Sequence, residues 1–323
     1  MSRSGIKGML FERMEVVQMP MQALTRAVEA AVEAAVEAAP AAVEHVTSRD
    51  GTTIGYRRLG RGPGLVLVQG AMGTAQHFTE LAGLLADSFT VYLPDRRGRG
   101  LSSSPSNGSH GRRQEVEDLQ ALLVHSGAQF VFGLSSGGII ALEAALVTPS
   151  LRRLAVFEPP FLLNAPIPTK LLRRYESEIA GGREAAALVT GMQASQLAPP
   201  VFNVLPRWLL ERLTAAMLAQ EDRKGSGNYV PMRALAHSLG GDFAVVAETA
   251  GPLDRYGAIR ADVLLLGGSK SPRFLNVALD ALQKALPGAR RVELAGLGHA
   301  ASWNVDRRGT PGPVAEELRR FFG

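Results

Sequence analysis

A serine hydroxyl attacks an acyl carbon at neutral pH only when a neighbouring base takes its proton. One segment of this chain has the residues for that chemistry. Phe130-Val131-Phe132-Gly133-Leu134-Ser135-Ser136-Gly137-Gly138, followed by IIALEAAL, sets G-x-S-x-G between an apolar strand and a helix. A sharp turn there exposes the Ser135 hydroxyl, and the flanking glycines keep side chains out of the turn. The helix that begins at the turn aims backbone N–H groups at developing negative charge. Six histidines are available as base. His299 follows the last expected strand, in Leu294-Ala295-Gly296-Leu297-Gly298-His299-Ala300, where a glycine-rich loop lets an imidazole swing toward the Ser135 turn. The other five have plainer readings. His45 sits on an early strand, His125 ends a helix, His110 lies in a polar loop, His237 falls in a helical stretch, and His77 suits the surface or a helix start.

The elements that must position these residues follow an alternating rhythm. VEHVTSRDG and TTIGYRRLG read as a hairpin joined through Asp50-Gly51. The unbroken apolar run Leu65-Val66-Leu67-Val68 fits a strand buried on both faces of a parallel sheet. FTELAGLLAD, FTVYLPD, QEVEDLQALLVHSG, FVFGL, GGIIALEAALV and RRLAVFEPP then alternate helix and strand, and ADVLLLGG, FLNVALDALQKAL, RRVELAG and PVAEELRRFF resume the pattern. This predicts a doubly wound, mostly parallel sheet. Residues 161–255, helical in pattern and without a convincing strand, read as a cap inserted into a core formed by 42–160 and 256–323. Residues 1–41 read as an N-terminal extension. In VEAAVEAAVEAA, residues 28–39, Val28, Val32 and Val36 form one helical stripe. The preferred reading is an Ala-rich helix lying on its own core; an arm packing on a partner subunit, and so a homo-oligomer, is the alternative.

Of the 323 residues 46% are hydrophobic and 20% charged, which suits a chain that buries a sizeable core. No run approaches the roughly 18 apolar residues of a membrane span, and the start lacks a signal-like apolar stretch, so a cytoplasmic protein that does not engage a membrane is expected. The absence of cysteine excludes disulfides, thiolate metal sites and a cysteine nucleophile. A net charge of +5 is concentrated only modestly, in DRRGRG at 95–100 and at Arg112-Arg113. No aromatic residues interleave these arginines, so a solvated loop is the expectation and nucleic-acid binding is not. No phosphate-binding glycine loop or metal-ligand cluster is present, and no cofactor is inferred.

Over about residues 43–323 the sequence resembles the α/β-hydrolase superfamily, which holds esterases, lipases, thioesterases, epoxide hydrolases and haloalkane dehalogenases. Besides G-x-S-x-G it has Asp95-Arg96-Arg97-Gly98-Arg99-Gly100-Leu101-Ser102, matching the D-x-R-G-x-G-x-S that follows the fourth strand in many members. The order Ser then His is also that of the fold. Two departures bear on the site. Where the family has His-Gly after the third strand, this chain has Gln69-Gly70-Ala71-Met72. An oxyanion hole needs backbone N–H groups, so Ala71 and Ser136 are the expected donors, with Met72 as a substrate contact and Gln69 as a loop brace. The acid that the family carries after the seventh strand is also missing, since that place reads Leu266-Gly267-Gly268-Ser269-Lys270-Ser271-Pro272. Some members take the acid from the end of the sixth strand, and the resemblance then implies Glu158, which follows Leu154-Ala155-Val156-Phe157. Asp242 and Asp254 are the reserve candidates.

These residues imply a hydrolase that cleaves an ester, lactone or thioester of a largely apolar small molecule through an acyl-enzyme on Ser135. Phe161 and Trp208 are expected to line the substrate pocket, with Leu162, Leu163, Met192, Phe202, Leu209 and Met217 as further candidates from the cap. A lyase or cyclase of natural-product assembly using the same groups, and a silent binding protein of the same fold, are the alternatives.

Overall fold

Leu65 and Leu67 are buried on one side of their strand and Val66 and Val68 on the other, each joining a different apolar cluster. Successive side chains of a strand point to opposite faces, so an unbroken apolar run needs cover on both. The computed structural model, which describes residues 42–104, 110–163, 167–198, 201–249 and 251–323, supplies that cover. The expected helix over 28–39 lies outside the described residues. Eight strands form one sheet: β1 (Ala42–Thr47), β2 (Thr53–Gly60), β3 (Gly64–Val68), β4 (Thr90–Pro94), β5 (Phe130–Leu134), β6 (Arg153–Phe157), β7 (Asp262–Gly268) and β8 (Arg290–Leu294). Their order is β1-β2-β4-β3-β5-β6-β7-β8. β1 pairs with β2 and β2 with β4 antiparallel, and every other pairing is parallel. The β1–β2 turn is closed by Ser48 N–H to Thr52 O at 2.8 Å, with Gly51 at φ 86°, where glycine avoids the Cβ penalty.

Helices α1 (Thr79–Leu85), α2 (Arg112–Ser126) and α3 (Ser136–Val147) lie within the first half of the chain. The stretch between β6 and β7 is helical, with α4 (Thr169–Ala180), α5 (Glu184–Ser195), α6 (Val201–Val204), α7 (Arg207–Lys224), α8 (Met232–Ala236) and α9 (Leu239–Ala247), and no strand among its described residues. Helices α10 (Arg273–Ala285) and α11 (Pro311–Phe322) complete the chain. Residues of α2, α3 and α10 share one buried cluster with Val66, Val131 and Leu265, and those of α1 and α11 share the other with Leu67, Phe132 and Leu266. A third cluster belongs to the inserted helices, built on Tyr175, Leu188, Leu218, Leu239 and Phe243, with Ala71 and Met72 packed against it. The core layer resumes before residue 256, because Val245 of α9, Leu253 and Tyr256 bury in the α2–α3–α10 cluster. Among the described residues no helix is long and apolar enough to cross a membrane.

Candidate active site

Ser135 sits between the end of β5 and the start of α3 at φ 55° and ψ −125°, a conformation that a non-glycine residue adopts only under constraint. The constraint is visible in its neighbours. A Cβ at Gly137 would lie 2.5 Å from the backbone oxygens of both Val68 and Gln69, and one at Gly133 would lie 2.5 Å from Gly137 O. Only glycine at both places lets β3, β5 and α3 approach this closely. Ser135 N–H donates to Phe157 O at 2.9 Å, tying the turn to the end of β6.

The residue after that strand end is an acid: Glu158 follows Phe157 directly, is fully buried and has φ 49°. Its Oε1 accepts the Gly268 N–H at 2.6 Å and its Oε2 lies 2.7 Å from His299 Nδ1. Strand β7, which pairs with β6, therefore supplies a backbone donor where the family would put a carboxylate. Side chains are excluded there, since a Cβ at Gly268 would meet Leu297 O at 2.3 Å. Lys270 is exposed, and its backbone N–H donates to Leu297 O at 2.8 Å in the loop that carries His299. The reserve acids stand elsewhere: Asp242 is held by Arg96 and Arg99, and Asp254 is exposed on the 3-10 helix Leu253–Ala258.

Ser135 and His299 line a cavity of about 530 Å³ together with Gly70, Ala71 and Met72. After β3 the chain turns through Gly70–Gly73, closed by Gly73 N–H to Gly70 O at 3.2 Å, with Met72 at φ 59°. A Cβ at Gly70 would sit 2.8 Å from Ser135 Cβ, so this turn lies against the serine. Ser136 opens α3, and its N–H is one of the four that a helix leaves without an intrahelical acceptor. Met192, Phe202 and Met217 line the cavity as expected from the sequence. Phe161 and Trp208 do not. Phe161 packs on Tyr256 in the core and borders a separate depression with Leu162 and Leu163, and Trp208 is 60% exposed. Trp303, four residues after His299, takes the place that a cap tryptophan was expected to fill.

The arginines of the segment after β4 correct the expectation of a solvated loop. Arg96, Arg97 and Arg99 are 3%, 0% and 2% exposed. Arg97 pairs with Asp118 and Asp50, Arg96 with Glu115 and Asp242, and Arg99 with Asp242. Burial opposes ionisation of Asp242, yet the two guanidiniums outweigh it and hold the carboxyl below the usual carboxylate range. His110 is not a loop bystander either, since its Nε2 lies 2.9 Å from Glu115 Oε1. His77 is buried, its Nδ1 accepts the Thr74 N–H at 3.1 Å, and its ring packs on Trp303 at 4.7 Å.

Residues 65–317 match the family model described as the alpha/beta hydrolase family. The chain belongs to the alpha/beta hydrolase family. An alpha/beta hydrolase from Sphaerobacter thermophilus is 33% identical with a TM-score of 0.71, over 87% of this chain and 100% of that one. The uncharacterized hydrolase YraK of Bacillus subtilis is 35% identical over 118 residues, which is 35% of this chain and 43% of that protein. The N-formylmaleamate deformylase of Pseudomonas putida is 35% identical over 104 residues, 31% of this chain and 39% of that protein. The chain thus spans less than half the length of the curated relatives it matches. The serine turn, the buried glutamate and the histidine loop lie at the same end of the sheet, where β5, β6 and β8 deliver them.

Proposed function

We propose that this hydrolase cleaves a carboxylic ester, lactone or thioester of an uncharged, largely apolar small molecule through an acyl-enzyme on Ser135. The observation that carries the reading is the 2.7 Å contact of Glu158 Oε2 with His299 Nδ1, beside a serine held at φ 55° in the same cavity. In this reading Glu158 fixes the imidazole so that Nε2 faces the nucleophile, and His299 takes the Ser135 proton as Oγ attacks the acyl carbon. The N–H groups of Ala71 and Ser136 hold the oxyanion. His299 then returns the proton to the leaving group, and water repeats the sequence to release the acid.

The cavity argues for the substrate class. Its lining includes Met72, Met192, Met217, Met232, Phe202 and Trp303 and, among the described residues, no Asp, Glu, Lys or Arg. Thioether side chains adapt to varied apolar shapes. A carboxylate-bearing substrate of the kind named for the Pseudomonas deformylase would find no cation on this lining, whereas an uncharged acyl chain would fit the volume. A neighbour of the same fold, the Rhodococcus esterase RhEst1, is an esterase by name, at 17% identity. The test is turnover of p-nitrophenyl esters of increasing chain length beside acyl thioesters, with fluorophosphonate labelling of wild type and Ser135→Ala. Labelling confined to wild type, with hydrolysis of uncharged acyl substrates, is expected. A folded wild type that is neither labelled nor active on any ester or thioester overturns the reading.

A further inference from the structure

The peptide plane between Gly70 and Ala71 carries the Gly70 carbonyl on one edge and the Ala71 N–H on the other, pointing opposite ways in a trans peptide. Whatever holds that carbonyl therefore aims that N–H. In this structure Arg99 Nη1 donates to Gly70 O at 2.9 Å and to Gly73 O at 3.0 Å, gripping both ends of the turn. Arg99 Nη2 donates to Asp242 Oδ2 at 2.5 Å. The other carboxylate oxygen, Oδ1, accepts from Ser136 Oγ at 2.8 Å and from Arg96 Nη1 at 2.7 Å. Arg96 Nη1 also reaches Gln69 O at 3.3 Å. One carboxylate from α9, more than a hundred residues away in the chain, is thus tied to both expected oxyanion donors, to Ala71 through Arg99 and to Ser136 directly.

From this we infer that Asp242 and Arg99 are positioning residues that preorganise the oxyanion hole. The inference rests on the serine-hydrolase reading above and adds to it the part of the molecule that sets the donors. Three physical points carry it. The turn contains Met72 at φ 59°, a conformation that costs free energy and persists only where its surroundings over-determine it. A cation on the far edge of a peptide polarises its N–H and strengthens it as a donor. The side chains of Arg96, Arg99 and Asp242 are 2%, 0% and 3% exposed, so solvent does not screen these contacts. Arg96 and Arg99 also occupy the two variable places of D-x-R-G-x-G-x-S ahead of Gly100, so the brace is additional to the motif. Leu239, three residues before Asp242 on α9, lines the cavity, so the helix that shapes the substrate site also clamps the hole.

The experiment compares wild type, Asp242→Asn, the charge-balanced double variant Arg99→Met with Asp242→Asn, and Ser136→Ala. The double variant leaves Arg96 paired with Glu115 and so strands no buried charge. Ser136→Ala keeps its N–H and removes no charge, only the hydroxyl that donates to Asp242 Oδ1. Each is assayed with p-nitrophenyl butyrate, and each is titrated with an alkyl trifluoromethyl ketone, whose serine adduct puts an oxyanion in the hole, and with the matching alkyl methyl ketone. Asp242→Asn and the double variant are expected to lose about 10- to 100-fold in kcat with KM within about threefold, and Ser136→Ala about three- to tenfold. Affinity for the trifluoromethyl ketone falls by the same factors and that for the methyl ketone does not. Fluorophosphonate labelling of wild-type Ser135 reports separately on the parent reading, and its failure fails both. Labelled wild type with wild-type kcat and ketone discrimination in Ser136→Ala and in any other variant that folds overturns the positioning role alone. An equal loss for both ketones also overturns it, since that is the mark of general disorder.

Discussion

Glu158 Oε2 lies 2.7 Å from His299 Nδ1 although 141 residues separate them in the chain. The carboxylate is fully buried and its other oxygen is satisfied by the Gly268 N–H at 2.6 Å, so it is aimed from both sides and has no freedom to turn away. Such a group stabilises an imidazolium and selects its tautomer. Glu158→Gln keeps the volume and removes the charge, and kcat for a p-nitrophenyl ester is expected to fall by about 10²- to 10⁴-fold. Lys270→Ala, at an exposed position, should change kcat by less than about twofold. Steady-state kinetics on both variants decide the matter, and comparable effects would remove Glu158 from the proposed triad.

The close approach of the His299 loop to the end of β7 leads to a second expectation. A Cβ at Gly268 would lie 2.3 Å from Leu297 O and 3.0 Å from Gly298 N, so Gly268→Ala must displace the loop that ends in His299. Overpacking of this kind costs about 1–3 kcal/mol, and a shift of the base by 1 Å costs on the order of a hundredfold in rate. Activity should therefore fall further than the thermal midpoint suggests. Gly288→Ala meets nothing within 4 Å and serves as the comparison, with activity and midpoint expected near wild type. Equal behaviour of the two variants would mean that the His299 loop tolerates displacement.

The sheet was legible because its signals are local: unbroken apolar strands buried on both faces, and amphipathic helices between them, each read from a few neighbouring residues. The Ser135 turn was legible for the same reason, as two glycines and a serine in five residues suffice to state it. What the sequence did not reveal depends on long-range packing. The burial of Arg96 and Arg99 requires Glu115 and Asp242, and nothing in DRRGRG by itself distinguishes a solvated arginine from one enclosed by an acid about 145 residues later. The pocket residues failed similarly. Phe161, Trp208 and Trp303 are equally apolar, and only the path of the chain decides that the first enters the core, the second faces solvent and the third lines the cavity.

That last difference is testable through acyl-chain preference. Trp303 lines the cavity and packs on His77, so Trp303→Ala opens space beside the serine. The variant should move the optimum of a p-nitrophenyl ester series to longer chains by about two carbons or more, each methylene being worth roughly 0.8 kcal/mol when buried. Trp208→Ala removes a side chain that is 60% exposed and should leave the chain-length profile unchanged. A profile that follows Trp208 and not Trp303 would relocate the substrate site.

His77 gives the molecule a defined acid sensitivity. Burial, seconded by the nearby Arg307 guanidinium, pushes its pKa down to about 4, and Asp306 only partly opposes this. Arg99 adds to the depression, and the ring is enclosed by Tyr229 at 4.9 Å and Trp303 at 4.7 Å. The unfolded chain holds the same imidazole near 6.5, so between about pH 4 and 6.5 the unfolded state binds more protons than the folded one. Stability therefore rises with pH across that window, is complete above it, and is lost as pH falls from about 6.5 toward 4. The loss from this one residue is at most roughly 3 kcal/mol. His77→Gln keeps an acceptor for the Thr74 N–H and cannot titrate, so it should be less stable than wild type at pH 7.5 and should close the gap at pH 4.5. Urea midpoints followed by tryptophan fluorescence at the two pH values measure this. A gap of the same size at both would mean that the folded protein accommodates a charged His77 as readily as the unfolded chain does.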